Sequence, residues 1–282
     1  MYLHMFDKIY RKDFYEDASY VVKSGSVRAM PTMSNLSTLD TSAYPRSKKA
    51  ISPRNGVVSS DTVINSQDLW FRCFTPTTTT THGGDDGRSL PIIVYIHGGG
   101  FAFYSASSTA YDSWCRRISG ELNAVVVSIN YRLAPEHRCP TQYEDCFDTL
   151  KFLDENLDKL PVNVNPKLCF IARDSAGGNL VHHMAVKASE YEFSSLKLIG
   201  LISIQPFFGG EERTESEIRN SGGLLLSVED TDWYWKMFLP DGSDRDHPAV
   251  NVFGVWTQII GGYLSGQVSV NVDFDWWIGF IV

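Results

Sequence analysis

The stretch FIARDSAGGNL (170–180) sets a serine between an apolar run and a pair of glycines. If a strand runs into a tight turn there and a helix follows, the Ser175 Oγ is held out of the turn, where it can attack an acyl carbon. A hydroxyl is a weak nucleophile until a base takes its proton and donors stabilise the oxyanion that forms. The Ala176 N–H, at the start of the helix, is one such donor. IHGGGF (96–101) offers a second set, because Gly98, Gly99 and Gly100 let backbone N–H groups approach a substrate oxygen with no side chain between. Taken singly, DSAGG could be a turn whose serine caps a helix, and HGGG a flexible turn. Together, each at the end of an apolar run, they point to acyl transfer.

One letter departs from G-x-S-x-G. Gly177 follows the serine as required, but Arg173 stands where the first glycine belongs. A large side chain there should cost roughly 1–3 kcal/mol by overpacking unless it escapes to solvent, and a guanidinium inside would need an acidic partner. Asp174 is adjacent, yet neighbouring strand residues point to opposite faces. Arg173 is therefore expected either to swing outward or to be crowded and short of a counter-charge.

The elements that must position these groups are legible as an alternation. VVSSDTVI (57–64) and DLWFRCFTP (68–76) read as two strands, and a polar loop follows from Thr77. LPIIVYIHG (90–98), AVVVSINYR (124–132), LCFIARD (168–174) and LIGLISIQPFF (198–208) are short apolar runs of the kind covered on both faces. Between them 107–122, 141–157 and 176–189 read as helices. Strand–helix–strand alternation implies right-handed crossovers and a mainly parallel sheet with flanking helices, and such sheets bind ligands at the carboxyl ends of their strands. HGGGF and DSAGGN both fall at such ends.

The chain has 282 residues and a net charge of −8, which argues against a nucleic-acid partner. Its five cysteines, Cys73, Cys115, Cys139, Cys146 and Cys169, show no C-x-x-C spacing, so buried free thiols are expected rather than disulfides or a zinc site. The first residues contain no apolar core of a secretory signal, and no apolar run is long enough to span a bilayer. A soluble protein of the cytoplasm, or also of the nucleus, is the expectation.

HGGGF, NYRLAPEHRCP and DSAGGNLVHH, in that order, resemble the plant carboxylesterase group of the hormone-sensitive-lipase-like α/β-hydrolases, to which the gibberellin receptors are related. The resemblance implies an α/β-hydrolase fold and ester hydrolysis through an acyl-enzyme on Ser175, with neither metal nor organic cofactor. It gives Gly98, Gly99, Gly100 and Ala176 to the oxyanion hole, makes Asp174 and Gly177 members of the serine motif, and makes His97 a structural member of its own. A small-molecule ester is the implied ligand, or a hormone-like one if the protein binds without turnover. The oligomeric state is left open.

The same family places a triad acid and then a histidine late in the chain. After Ser175 the histidines are His182, His183 and His247. The first two lie roughly 10–12 Å along the following helix, beyond hydrogen-bond reach of the serine. His247, in SDRDHPAVN, matches a segment upstream of the family's acid and is a weak candidate base. Asp273 and Asp275 can be nominated as acid, but no histidine follows them. The expected organisation is an atypical, partly disordered segment 1–54, an incomplete hydrolase domain 55–254 and a divergent tail 255–282. In the tail the family's last strands look missing or replaced, although QVSVNVDF (267–274) alternates like a strand. Both ends read as exchanged, as an alternative transcript or an extended gene model would produce.

Overall fold

Leu90–Ile96 is buried along its whole length, as a strand with a packed layer on each side must be. The computed structural model describes residues 53–65, 68–77, 89–219, 221, 226–252, 270–273 and 278–281. Eight strands form one sheet: β1 (Val57–Val63), β2 (Trp70–Pro76), β3 (Leu90–Ile96), β4 (Val125–Asn130), β5 (Val164–Asp174), β6 (Leu198–Ile204), β7 (Val270–Asp273) and β8 (Ile278–Ile281). Their spatial order is β1-β2-β4-β3-β5-β6-β8-β7. The expected parallel arrangement holds for the four central strands, where β4, β3, β5 and β6 pair in parallel. Antiparallel pairs flank them on both sides.

The helices are α1 (Thr109–Leu122), α2 (Thr141–Glu155), α3 (Ser175–Ser189), the five-residue α4 (Glu215–Arg219) and α5 (Val228–Phe238). Alternate side chains of β3 serve two cores, as the two-residue period of a strand dictates. Ile92, Val94 and Ile96 join Ile171 of β5, Leu150 of α2 and Leu180 of α3 in one core. Ile93 and Tyr95 join Phe170 and Ala172 of β5 with Trp114 and Ile118 of α1 in the other. Polar groups taken inside are mostly paired. Arg72 of β2 and Arg116 of α1 share the buried Asp112, and Arg132 of the NYR motif grips Asp145 of α2 through Nη2 at 2.7 Å. All five cysteines are buried and free, with burial raising the Cys73 and Cys169 thiols to about 12.

The tail meets the sheet. The segment expected to alternate contains β7, and β8 pairs antiparallel with β6, Leu201 opposite Ile281 and Ile204 opposite Ile278. The edge of β6 is therefore covered by β8. The segment 1–52 and most of the loop after Thr77 lie outside the described residues.

Candidate active site

β5 ends at Asp174 in extended backbone, and Ser175, the first residue of α3, takes φ +50. A side-chain-bearing residue in the left-handed region costs of order 1–3 kcal/mol and persists only where its surroundings hold it. Here the hold is visible. The Ser175 carbonyl accepts the Phe207 N–H at 3.0 Å from the loop after β6. A Cβ on Gly177 would strike the Ile96 carbonyl oxygen and lie 3.0 Å from the His97 carbonyl, so α3 sits directly on the end of β3. A Cβ on Gly178 would strike Pro206.

That close packing brings the two glycine motifs together. The Cβ position of Gly98 lies 3.1 Å from the Ser175 Cβ and 2.8 Å from Asp174 Oδ2. Gly99 and Gly100 follow at φ +105 and +60, and neither N–H is engaged among the described residues. The Ala176 N–H is one of the orphan donors that every helix start presents. The Gly98 N–H is different, since it donates to the Tyr111 hydroxyl at 2.9 Å. Gly98 is thus removed from the expected donor set, and its place beside Ser175 is one of packing.

Asp174 is held away from the serine. Its carboxylate accepts from Tyr95 at 3.1 Å and Tyr111 at 3.0 Å, while burial pushes its pKa up and those hydroxyls pull it back. His97 is fully buried and stacks on Tyr131 at 4.4 Å. Its Nδ1 lies 2.8 Å from the Gly98 carbonyl, which can only accept, so Nδ1 carries the proton. Burial lowers its pKa to about 4. It is neutral and packed among aromatic rings.

No hydrogen bond reaches the Ser175 Oγ among the described residues. His182 packs on Phe208, and His183 on Tyr143 at 4.7 Å, both further along α3. His247 accepts the Ala249 N–H on Nδ1 at 3.1 Å and is felt electrostatically by His183, which ties it to the third turn of α3. No hydrogen bond joins it to Ser175 among the described residues. Asp273 lies in β7 opposite Ile278, and Asp275 lies outside the described residues.

Arg173 does not swing outward. It is 2% exposed, and its Nη1 donates to the Gly177 carbonyl at 3.1 Å beneath α3. Burial lowers its pKa to about 9, with Asp174 offsetting part of the effect.

The sequence reading passed over one wall of the site. Tyr234 of α5 lies over Gly100, where a Cβ would strike its ring, and Phe103 and Trp233 continue the aromatic surface. The signal was present as S-x-x-D: the Ser227 hydroxyl accepts from Asp230 N–H and the Asp230 carboxylate accepts from Ser227 N–H, a capping box that starts α5. Among the described residues no His, Cys, Asp or Glu cluster could hold a metal, and no helix is long and apolar enough to cross a membrane.

Comparison with known proteins agrees with this geometry. The α/β hydrolase fold family matches residues 93–267, and the carboxylesterase family matches residues 40–136. The chain is 43% identical to the gibberellin receptor GID1C of Arabidopsis thaliana over 218 residues, covering 74% of this chain and 62% of the receptor. It is 39% identical to carboxylesterase 20 of the same plant over 204 residues, 71% of this chain and 62% of that one. It thus spans about three-fifths of the length of those relatives. Among solved structures, the hyperthermophilic esterase of the archaeon Pyrobaculum calidifontis superposes with a TM-score of 0.57 at 27% identity, covering 88% of this chain and 68% of the esterase. The chain belongs to the α/β hydrolase fold family, within the plant carboxylesterase group that includes the gibberellin receptors.

Proposed function

We propose that the chain reacts with carboxylic esters through Ser175. The Oγ–acyl bond forms as the alcohol leaves with a proton, and water then cleaves the acyl-enzyme. The oxyanion is received by the N–H groups of Gly99, Gly100 and Ala176, and the acyl or alcohol group lies against Phe103, Trp233 and Tyr234. The observation that carries this reading is the Ser175 backbone at φ +50, with the Cβ position of Gly98 3.1 Å from the Ser175 Cβ and the N–H groups of the next two glycines unengaged among the described residues. Oriented donors of this kind act where negative charge develops, and each is worth about 10²–10³ in rate.

Turnover is a separate matter, because no described histidine is placed to take the Ser175 proton. In a comparable serine hydrolase loss of the base lowers kcat by about 10⁶. With p-nitrophenyl butyrate the expected rate is dependent on Ser175 yet far below the ~10 s⁻¹ of an ordinary enzyme. A rate unchanged in Ser175→Ala would overturn the assignment.

A second reading is binding without turnover, as in the receptor relatives. The unpartnered serine and the aromatic wall favour it. Titration calorimetry with a gibberellin decides: saturable heat that persists in Ser175→Ala supports a receptor-like role, and no heat at millimolar ligand removes it.

A further inference from the structure

The Arg173 guanidinium is among the largest side chains the fold buries completely, and its charge is not matched. Nη1 is spent on the Gly177 carbonyl, Nε has no partner, and Arg173 makes no ion pair among the described residues. Asp174 cannot close on it, since that carboxylate is held on the opposite sheet face by Tyr95 and Tyr111. Directly across the sheet from Arg173, in parallel register, stands Ser203 of β6. It is 5% exposed and its Oγ is also without a partner. Strand alternation puts the two side chains on the same face, since Ile171 and Leu201, two residues before each, share the core under α3.

An orphaned guanidinium N–H and an orphaned hydroxyl therefore stand on one sheet face at paired positions of β5 and β6, with the guanidinium beneath the first turn of α3. A buried charge without a counter-charge is strongly disfavoured, whereas a paired one is tolerated. We propose that Arg173 and Ser203 form a binding site for one small inorganic anion of the halide class. The guanidinium Nε–H and the Ser203 O–H donate to it, and the positive end of the α3 dipole adds to the field. Size and valence follow from the surroundings. The Cβ position of Gly178 is 3.2 Å from Arg173 Nη1, so α3 lies close over the guanidinium and a small ion suits the site better than a bulky one. A carboxylate or phosphate would bring oxygens that two donors cannot satisfy. The nearby His182 is kept neutral by burial and by the Arg173 charge, with its pKa lowered to about 4, and does not compete as a second cation.

The test is thermal unfolding of the full chain in sodium chloride and in sodium gluconate at equal ionic strength. The site predicts a midpoint that climbs saturably with chloride by a few degrees, because a ligand bound only by the folded state stabilises it. Ser203→Ala should weaken the dependence, and Arg173→Met, which keeps volume and removes charge, should abolish it. Equal midpoints in the two salts would overturn the site and leave water as the partner of Nε and Oγ. A chloride effect undiminished in both variants would place the anion elsewhere and overturn it equally. If Arg173→Met does not fold, bromide-soaked crystals decide: an anomalous peak within hydrogen-bond distance of Arg173 Nε supports the site, and its absence there contradicts it.

Discussion

At the scale of single residues, the left-handed turn at Ser175 and the close packing at Gly177 were legible because a short motif specifies that backbone geometry. Arg173 was not, since its fate turned on whether α3 leaves room beneath it, which no local pattern records. Gly98 was read as a donor with its neighbours, and only the position of Tyr111, 13 residues on, reveals that its N–H is spent. His97 also makes a prediction about pH. Its folded-state pKa of about 4 lies below the ordinary 6.5, so between those values the unfolded chain binds the extra proton. Stability from this residue is therefore complete above pH 6.5 and declines toward pH 4, by at most about 1.4 kcal/mol per pH unit. His182 and His183 are shifted in the same direction and add to the slope. Urea midpoints should fall between pH 7 and pH 5, and His97→Asn should flatten that fall. An unchanged slope in the variant would show that His97 titrates normally.

At the scale of elements, the strands and helices from Val57 to Ile204 sit close to where the sequence pattern places them, although β5 begins at Val164 rather than Leu168, because the central strands are short apolar runs bounded by glycine, proline or polar residues. α5 escaped because its buried residues Tyr234, Trp235 and Phe238 are interleaved with charged ones, and only the S-x-x-D cap marks its start. The contact of α3 on β3 is the joint that aligns the two glycine motifs, and it can be tested at one atom. Gly177→Ala places a methyl against the Ile96 carbonyl and should cost on the order of 1–3 kcal/mol, with loss of reactivity at Ser175. Gly120→Ala is the control. It lies within α1, where a methyl would rest 3.4 Å from Val57 Cγ2 in ordinary contact, and the helix should gain up to about 1 kcal/mol. Equal effects in chemical denaturation would mean that the α3–β3 joint is looser than its geometry implies.

At the scale of the molecule, the sheet's central layer followed from alternation, while its far edge did not. β7 and β8 come from a tail expected to lack the family's last strands, yet β8 supplies β6 with an antiparallel neighbour. Pairing across an edge is governed by backbone groups, so a strand can serve there with few demands on its side chains. Ending the chain after Val252 should therefore expose the β6 edge, lower the thermal midpoint and promote association, measured by light scattering after gel filtration. A monomer of unchanged midpoint would show that β8 contributes nothing.

The central claim is that the sheet and α3 together present Ser175 as a reactive nucleophile. Its most direct measurement is labelling by a fluorophosphonate, with the modified residue located by peptide mass spectrometry. The account predicts a single adduct on Ser175, formed slowly because no described histidine draws off the proton, and absent in Ser175→Ala. An adduct elsewhere, or equal labelling of the wild type and the alanine variant, would contradict it.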